Sequence, residues 1–158
     1  MTSLTVLLMS AGAMTGLLVG GIILLRSRFL FVTVRGMSMA PTLHPRDHVL
    51  VWRVRAGKGI TTGAIVLLDA SAAHHHPAAP GPFIKRVVAV AGETYTDLGT
   101  SGLKTRRWVI PAGMIFVCGD HRTASEDSRA WGPVPLGVIT GVVMHHFQRQ
   151  TSLRGRRA

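Results

Sequence analysis

Ser38 is the first residue of the chain whose type and surroundings suggest chemistry. It lies between Met37 and Met39 in the segment 36–43, which contains the turn signal Pro41. A serine hydroxyl becomes an effective nucleophile when a base lies next to it, and large apolar side chains around it indicate a surface that meets lipid or an apolar groove. Taken alone, the segment is typical of an ordinary β-turn before a proline. For Ser38 to be a nucleophile, another part of the sequence must supply the base.

Lys85 is the candidate for that base. In a strand over 83–91, side-chain alternation places Lys85 on one face together with Phe83, Val87 and Ala89. If that face is buried, desolvation disfavours the ammonium form, and the lowered pKa makes the amine a general base near neutral pH. The alternative is a lysine on an edge strand, where its charge prevents aggregation.

The polar segment 119–132 carries the remaining candidates. Asp127 and Arg129 are close enough in a tight loop to form an ion pair, and Ser125 can hydrogen-bond to whatever the loop contacts. Taken alone, the segment is typical of a solvated loop between two strands.

The elements that must position these residues are strands. Short runs rich in β-branched residues, separated by Gly, Pro and Asp, predict a mostly β domain over 29–148. The Ala-, His- and Pro-rich stretch 71–82 indicates a surface loop, and 149–158 a flexible basic tail. The predicted strands are 31–34, 49–54, 64–68, 83–91, 114–118 and 138–147.

An apolar segment precedes this domain. Residues 4–25 carry no charged side chain, and a helix of that length spans about 33 Å, which matches the roughly 30 Å hydrocarbon core of a bilayer. A retained transmembrane anchor is favoured over a cleaved signal peptide, because there is no basic region before the run and the run exceeds the usual signal-peptide length. Helix-mediated self-association is a further possibility, since Gly12, Gly16 and Gly20 line one helical face.

Composition excludes several classes of function. The net charge of +11 fits nucleic acid, anionic lipid or solvent equally well, but the tail residues Arg154, Arg156 and Arg157 lack interleaved aromatic residues, so we expect no nucleic-acid partner. One cysteine, Cys118, allows neither an intramolecular disulfide nor a multi-cysteine zinc site. We expect no metal and no cofactor, because nothing completes a ligand shell around the histidines 74–76.

Taken together, the three segments are similar to successive sequence boxes of the type I signal peptidases, peptidase family S26. The shared patterns are Ser-Met-x-Pro-Thr at 38–42, Lys-Arg-Val-Val at 85–88, and Gly-Asp-x-Arg-x-x-Ser-x-Asp-Ser-Arg-x-x-Gly at 119–132. The resemblance covers residues 33–134. It implies a membrane-bound serine endopeptidase of mostly β fold that uses a Ser/Lys dyad to remove signal peptides from exported preproteins, and here one dedicated precursor is possible.

The resemblance also assigns roles. Ser38 matches the nucleophile, Lys85 the general base, Ser125 the serine that orients the lysine, and Asp127 and Arg129 the pair that holds the site together. Some members carry a serine that donates to the oxyanion two positions before the nucleophile, where this chain has Gly36. Other departures from the family pattern are His121, Ala91 and Glu93. The short interval 93–117 implies that any additional β subdomain is missing or very small.

Two arguments about topology disagree. Arg26, Arg28 and Arg35 follow the apolar segment, and the positive-inside rule therefore favours a cytoplasmic β domain. The resemblance implies a single-pass protein of the bacterial cell membrane with its catalytic domain on the extracytoplasmic side, where preproteins emerge. We expect this second orientation, with the arginines at the lipid headgroups and with Met37 and Met39 in the apolar edge of the bilayer.

Two alternatives of other classes remain open. One is a noncatalytic basic membrane-surface protein, which would tolerate Ala at Ser38 and Lys85. The other is a self-cleaving repressor-type Ser/Lys peptidase, which requires a helix-turn-helix region where this chain has residues 4–25.

Overall fold

The computed structural model describes residues 2–54, 59–69, 82–99 and 105–147. The chain divides into two compact units, Met1–Leu30 and Phe31–Ala158. The predicted loop 71–82 lies outside the described residues, together with the histidines 74–76, except for Pro82, which begins a strand. The basic tail 149–158, with Arg154, Arg156 and Arg157, also lies outside them.

The first unit is dominated by one helix, α1 (Thr2–Arg28). Its last turn carries Arg26 and Arg28, and cations there interact favourably with the carbonyl end of a helix. Across the described part of the chain, no helix combines the length and apolarity needed to cross a membrane. The membrane anchor at 4–25 therefore stays a prediction.

The second unit is built on strands, which confirms the predicted mostly β fold. A seven-stranded sheet has the order β1-β2-β9-β3-β4-β7-β8, and β5 and β6 form a separate pair. Two short helical turns, Arg122–Ala124 and Leu136–Val138, and the helix α2 (Ser128–Trp131) interrupt the strands. The strands are β1 (Phe29–Thr33), β2 (His48–Arg53), β3 (Ile65–Asp69), β4 (Pro82–Val90), β5 (Thr94–Asp97), β6 (Arg106–Val109), β7 (Met114–Cys118), β8 (Val134–Pro135) and β9 (Ile139–Phe147).

The large sheet has core residues on both faces of β7. Val66, Val87 and Val117 belong to a core cluster on one face, and Phe116 and Cys118 belong to another on the opposite face. Adjacent residues of β7 thus face different clusters, as alternation requires. Cys118 is a small buried core residue, as its apolar surroundings predict.

A β-bulge in β4 corrects one prediction. The register with β7 shifts between Val87, which pairs with Val117, and Ala89, which pairs with Phe116. The extra residue at Val88 turns the strand over, so Ala89 packs against Phe116. The expectation that Ala89 shares a face with Val87 and Lys85 is wrong, because strict alternation ends at the bulge.

The β5–β6 pair is the small additional β unit that the short interval 93–117 allows. Tyr95 faces Trp108 across the pair, and both rings pack against Phe116 of the large sheet, with ring centroids 4.5 Å and 5.0 Å away. These aromatic contacts hold the pair on the sheet.

Candidate active site

Ser38 is presented by a closed loop between β1 and β2. The loop is joined at its base by two backbone hydrogen bonds, from Val34 N to Asp47 O (2.8 Å) and from Arg46 N to Val34 O (2.9 Å). The buried Asp47 carboxylate accepts a further bond from His44 N (2.8 Å). These bonds fix the position of the loop that carries the Ser38 hydroxyl.

The two methionines that flank Ser38 point to different environments. Met39 is 1% exposed and belongs to the core, whereas Met37 is 47% exposed. The expectation that both side chains enter a bilayer is therefore wrong for Met39, because the chain turns between them, with Ala40 N donating to Met37 O over 3.0 Å. Met37 is the one available to an external apolar surface.

Lys85 is buried in β4, with 3% of its surface exposed, and it pairs with Val66 of β3. Burial lowers the pKa of the Lys85 amine below its ordinary value of 10.5, while the negative charge of Asp127 opposes this shift. The apolar environment that side-chain alternation predicts for Lys85 is present. The neutral amine is therefore easier to form here than on a surface lysine.

Ser125 connects Lys85 to the polar segment. Lys85 Nζ donates to Ser125 Oγ over 2.7 Å, and Ser125 Oγ donates to Asp127 Oδ2 over 2.7 Å. Because the Ser125 proton is directed at a carboxylate, its oxygen offers only a lone pair to the lysine. The nitrogen lone pair of a neutral Lys85 consequently stays available for another proton.

Asp127 is held in place from several sides. Arg129 Nε donates to its Oδ1 over 2.8 Å, Arg129 Nη2 donates to its Oδ2, and Gly119 N donates to Oδ2 over 2.9 Å. Burial alone would raise the pKa of Asp127, but these donors, together with Ser125 and the Arg129 charge, bring it below its ordinary value. The predicted ion pair with Arg129 is present, and Asp127 is 1% exposed.

Gly119 is a site residue that the sequence analysis did not single out. A side-chain carbon at this position would overlap with the Ser125 hydroxyl and with the carbonyl oxygen of Ser38. The loops of Ser38 and Ser125 therefore meet at Gly119, and they can do so only because no side chain separates them. His121 N completes the contact by donating to Ser38 O over 3.0 Å.

Arg86 joins all three candidate segments from the face opposite Lys85. It forms a two-pronged ion pair with Asp120, Nε to Oδ1 over 2.9 Å and Nη2 to Oδ2 over 2.7 Å, and its Nη2 also donates to Thr42 Oγ1 over 3.3 Å. The sequence analysis assigned no role to Arg86. Its position next to Lys85 indicates only that its side chain faces the opposite side of the strand, because neighbouring residues on a strand alternate.

A groove of about 520 Å³ opens at Ser38. Its walls come from the end of β1 with the following loop and from the start of β4, and they combine apolar and polar surface. The lining residues are 31–35, 38–39 and 82–84. Ser38 lies in this lining, so a molecule bound in the groove would be next to Ser38.

Other candidate chemistry finds little support in the part of the chain that the structure describes. No cluster of three potential metal ligands occurs there. Burial raises the pKa of the Cys118 thiol to about 11, which keeps it protonated and unreactive near neutral pH.

Gly36, two residues before Ser38, has a φ of +79°, a backbone conformation that favours glycine.

The amino-acid sequence is similar to those of mitochondrial inner membrane proteases. The chain is 36% identical over 115 residues to mitochondrial ATP-independent inner membrane protease subunit 1b of Arabidopsis thaliana, covering 69% of this chain and 64% of that protein. It is 37% identical over 120 residues to mitochondrial inner membrane protease subunit 2 of Mus musculus, covering 71% and 63%. The chain thus spans less than two thirds of the length of these relatives.

Two bacterial proteins are similar over shorter stretches. Signal peptidase I of Haemophilus influenzae is 48% identical over 50 residues, which are 30% of this chain and 14% of that protein. A crystal structure of a signal peptidase I from Enterococcus faecalis has a TM-score of 0.42 and 20% identity, covering 54% of this chain and 97% of the other.

The family model described as signal peptidase, peptidase S26, matches residues 6–100 and 95–147, which are most of the chain. The match includes Ser38, Lys85 and the polar segment with Ser125 and Asp127. This chain belongs to the signal peptidase family, peptidase S26.

Proposed function

We propose that the protein is a membrane-bound serine endopeptidase that removes signal peptides from exported preproteins, with Ser38 as nucleophile and Lys85 as general base. The observation that carries this proposal is the buried Lys85 amine, hydrogen-bonded over 2.7 Å to Ser125 beside the loop of Ser38. A buried amine of lowered pKa, in contact with a hydroxyl that lies beside the loop of a second serine, is the arrangement that a lysine base requires.

In this mechanism, neutral Lys85 takes the hydroxyl proton as Ser38 Oγ attacks the scissile carbonyl. The protonated lysine then gives that proton to the leaving amine, and an acyl-enzyme ester remains on Ser38. In the second cycle Lys85 deprotonates a water molecule, which attacks the ester, and the protonated lysine then returns the proton to Ser38 Oγ as the ester C–O bond breaks. Ser125 and Asp127 hold the lysine nitrogen in place throughout both cycles.

The negative charge that develops on the oxygen of the scissile carbonyl needs hydrogen-bond donors. The backbone N–H of Ser38 is the proposed donor, since it moves with the nucleophile. Gly36 supplies no side-chain hydroxyl, so a second donor must come from a backbone group or from water.

The substrate class follows from the family resemblance. Small side chains are expected at the first and third positions before the cut, because shallow pockets exclude larger ones. A decisive experiment incubates the detergent-solubilised protein with preproteins from the same genome and maps the products by mass spectrometry. Cleavage after a small residue by the wild type, absent in Ser38→Ala, supports the proposal. Cleavage by Ser38→Ala at the same site would overturn it.

The membrane attachment is part of the same proposal. The uncharged segment 4–25 lies within α1, and it would anchor the protein once, with the β domain on the extracytoplasmic side of a bacterial cell membrane. Lipid would then be a permanent partner, with Gly12, Gly16 and Gly20 available for helix pairing. Protease treatment of intact spheroplasts tests the orientation, because an extracytoplasmic β domain is digested before lysis and a cytoplasmic one only after it.

A further inference from the structure

Arg35 is the charged residue in the described lining of the Ser38 groove, whose other walls are apolar or hydroxyl-bearing. Its side chain is exposed, and within the described residues it has no ion pair or hydrogen bond. By contrast, Arg86 and Arg129 each bind a carboxylate. Arg35 therefore offers an unused guanidinium three residues from the nucleophile, in the surface that would receive the substrate.

The direction of the Arg35 side chain indicates which part of a substrate it would meet. Val34 is 4% exposed and faces the core, and its neighbour Arg35 faces outward at the rim of the groove. An extended peptide alternates in the same way, so if its first and third residues before the cut point into the groove, the second points to the rim.

We propose that Arg35 selects precursors with an acidic side chain at the second position before the cleaved bond. This inference rests on the proposed peptidase function and adds a charge preference to it. A carboxylate there would form a hydrogen-bonded ion pair with the guanidinium, while a lysine would be repelled.

Lipid phosphate is the other anion that could bind Arg35. The shared groove with Ser38 favours the substrate, because the guanidinium lies in the lining that a bound peptide would cover. If Arg35 bound only lipid phosphate, the effect of replacing Arg35 on the cleavage rate would not depend on the charge of the peptide.

The test uses three peptides with Ala at the first and third positions before the cut and with Glu, Gln or Lys at the second. Cleavage is measured in neutral detergent at low salt for the wild type, Arg35→Gln and Arg35→Glu. Arg53→Gln is the matched control, since Arg53 is exposed at the end of β2 and its loss changes the net charge equally.

The wild type is expected to cleave the Glu peptide about fivefold faster than the Lys peptide, measured as kcat/KM. Arg35→Gln should bring this ratio close to one, Arg35→Glu should reverse it, and Arg53→Gln should keep it. High salt should reduce the wild-type ratio, since the ion pair is near the surface.

Equal cleavage of all three peptides by the wild type would overturn the inference and leave the peptidase function intact. An unchanged ratio in Arg35→Glu would do the same. So would an Arg35→Gln effect that appears only on anionic vesicles and is independent of peptide charge, which would assign Arg35 to lipid. Failure of the wild type to cleave any peptide would overturn the peptidase function itself.

Discussion

Lys85 Nζ donates a 2.7 Å hydrogen bond to Ser125 Oγ, and the two residues come from segments 40 positions apart in the chain. Ser125 Oγ donates its hydrogen bond to Asp127 Oδ2 and therefore acts on the lysine as an acceptor only. The lysine nitrogen is thus held by a hydroxyl that does not occupy its lone pair.

Replacing Ser125 should slow the reaction without weakening substrate binding. Ser125→Ala removes the acceptor that positions Lys85, and misplacing a base costs about 10- to 100-fold in kcat. KM should change little, because Ser125 is not part of the lining found for the Ser38 groove. Thr123→Ala, which removes an exposed hydroxyl two residues earlier, is the control and should retain full activity. A rise in KM with kcat unchanged would assign Ser125 to substrate binding.

Ser38 and Lys85 should behave as one functional unit. Ser38→Ala and Lys85→Ala are each expected to abolish cleavage, and the double variant should be no worse than either single variant, because neither residue works alone. Initial rates on one precursor measure this directly. Residual activity above a few per cent of wild type in Lys85→Ala would remove lysine as the base.

The rate should rise with pH as Lys85 loses its proton. Burial lowers the pKa of Lys85, so the midpoint of the rise should lie below 10.5, with activity lost as pH falls through the folded-state value. The Asp127 charge raises that pKa, so in Asp127→Asn any remaining activity should have its midpoint at lower pH. A midpoint at 10.5 in the wild type would indicate a solvated lysine.

Gly119→Ala should inactivate the site while leaving the fold in place. The added methyl group would overlap with Ser125 Oγ and Ser38 O, so the two loops must separate, and we expect a loss of about 100-fold or more in kcat. Gly137→Ala is the matched control, because a side-chain carbon at Gly137 meets nothing within 4 Å. Circular dichroism and Tm verify folding. Equal activity of the two variants would show that the loops do not depend on Gly119.

Asp127 should contribute strongly to stability. Asp127→Ala leaves Arg129 without its carboxylate in a partly buried place, and breaking a buried pair costs about 3–5 kcal/mol in the free energy of unfolding. Because the folded-state pKa of Asp127 is lowered, its contribution is present above the pKa of the unfolded chain and is lost as pH falls through the folded-state value. Denaturant unfolding at neutral and acidic pH measures both effects. A loss of stability in Asp127→Ala that is the same at both pH values would contradict this role.

Strands with strong local patterns can be predicted from the amino-acid sequence. The predicted runs 49–54, 83–91 and 114–118 correspond to β2, β4 and β7 with shifts of at most one residue, because β-branched and apolar residues in short runs carry the signal locally. The pair β5–β6 escaped prediction because its strands hold few apolar residues. Their stability comes from Tyr95 and Trp108 packing on Phe116, which is a tertiary contact.

Some features of the candidate site can likewise be predicted from the sequence, and others depend on tertiary contacts. Spacing and resemblance identify the candidate site from the sequence alone, since each residue belongs to a short, recognisable segment; the residues are Ser38, Lys85, Ser125, Asp127 and Arg129. Three features of the site become visible only in the folded chain: Met39 is a core residue, Arg86 binds both Asp120 and Thr42, and two loops touch at Gly119. These features depend on which distant segments of the chain come into contact. Packing determines those contacts through a bulge, a loop closure or a missing side chain, and a local sequence pattern does not encode them.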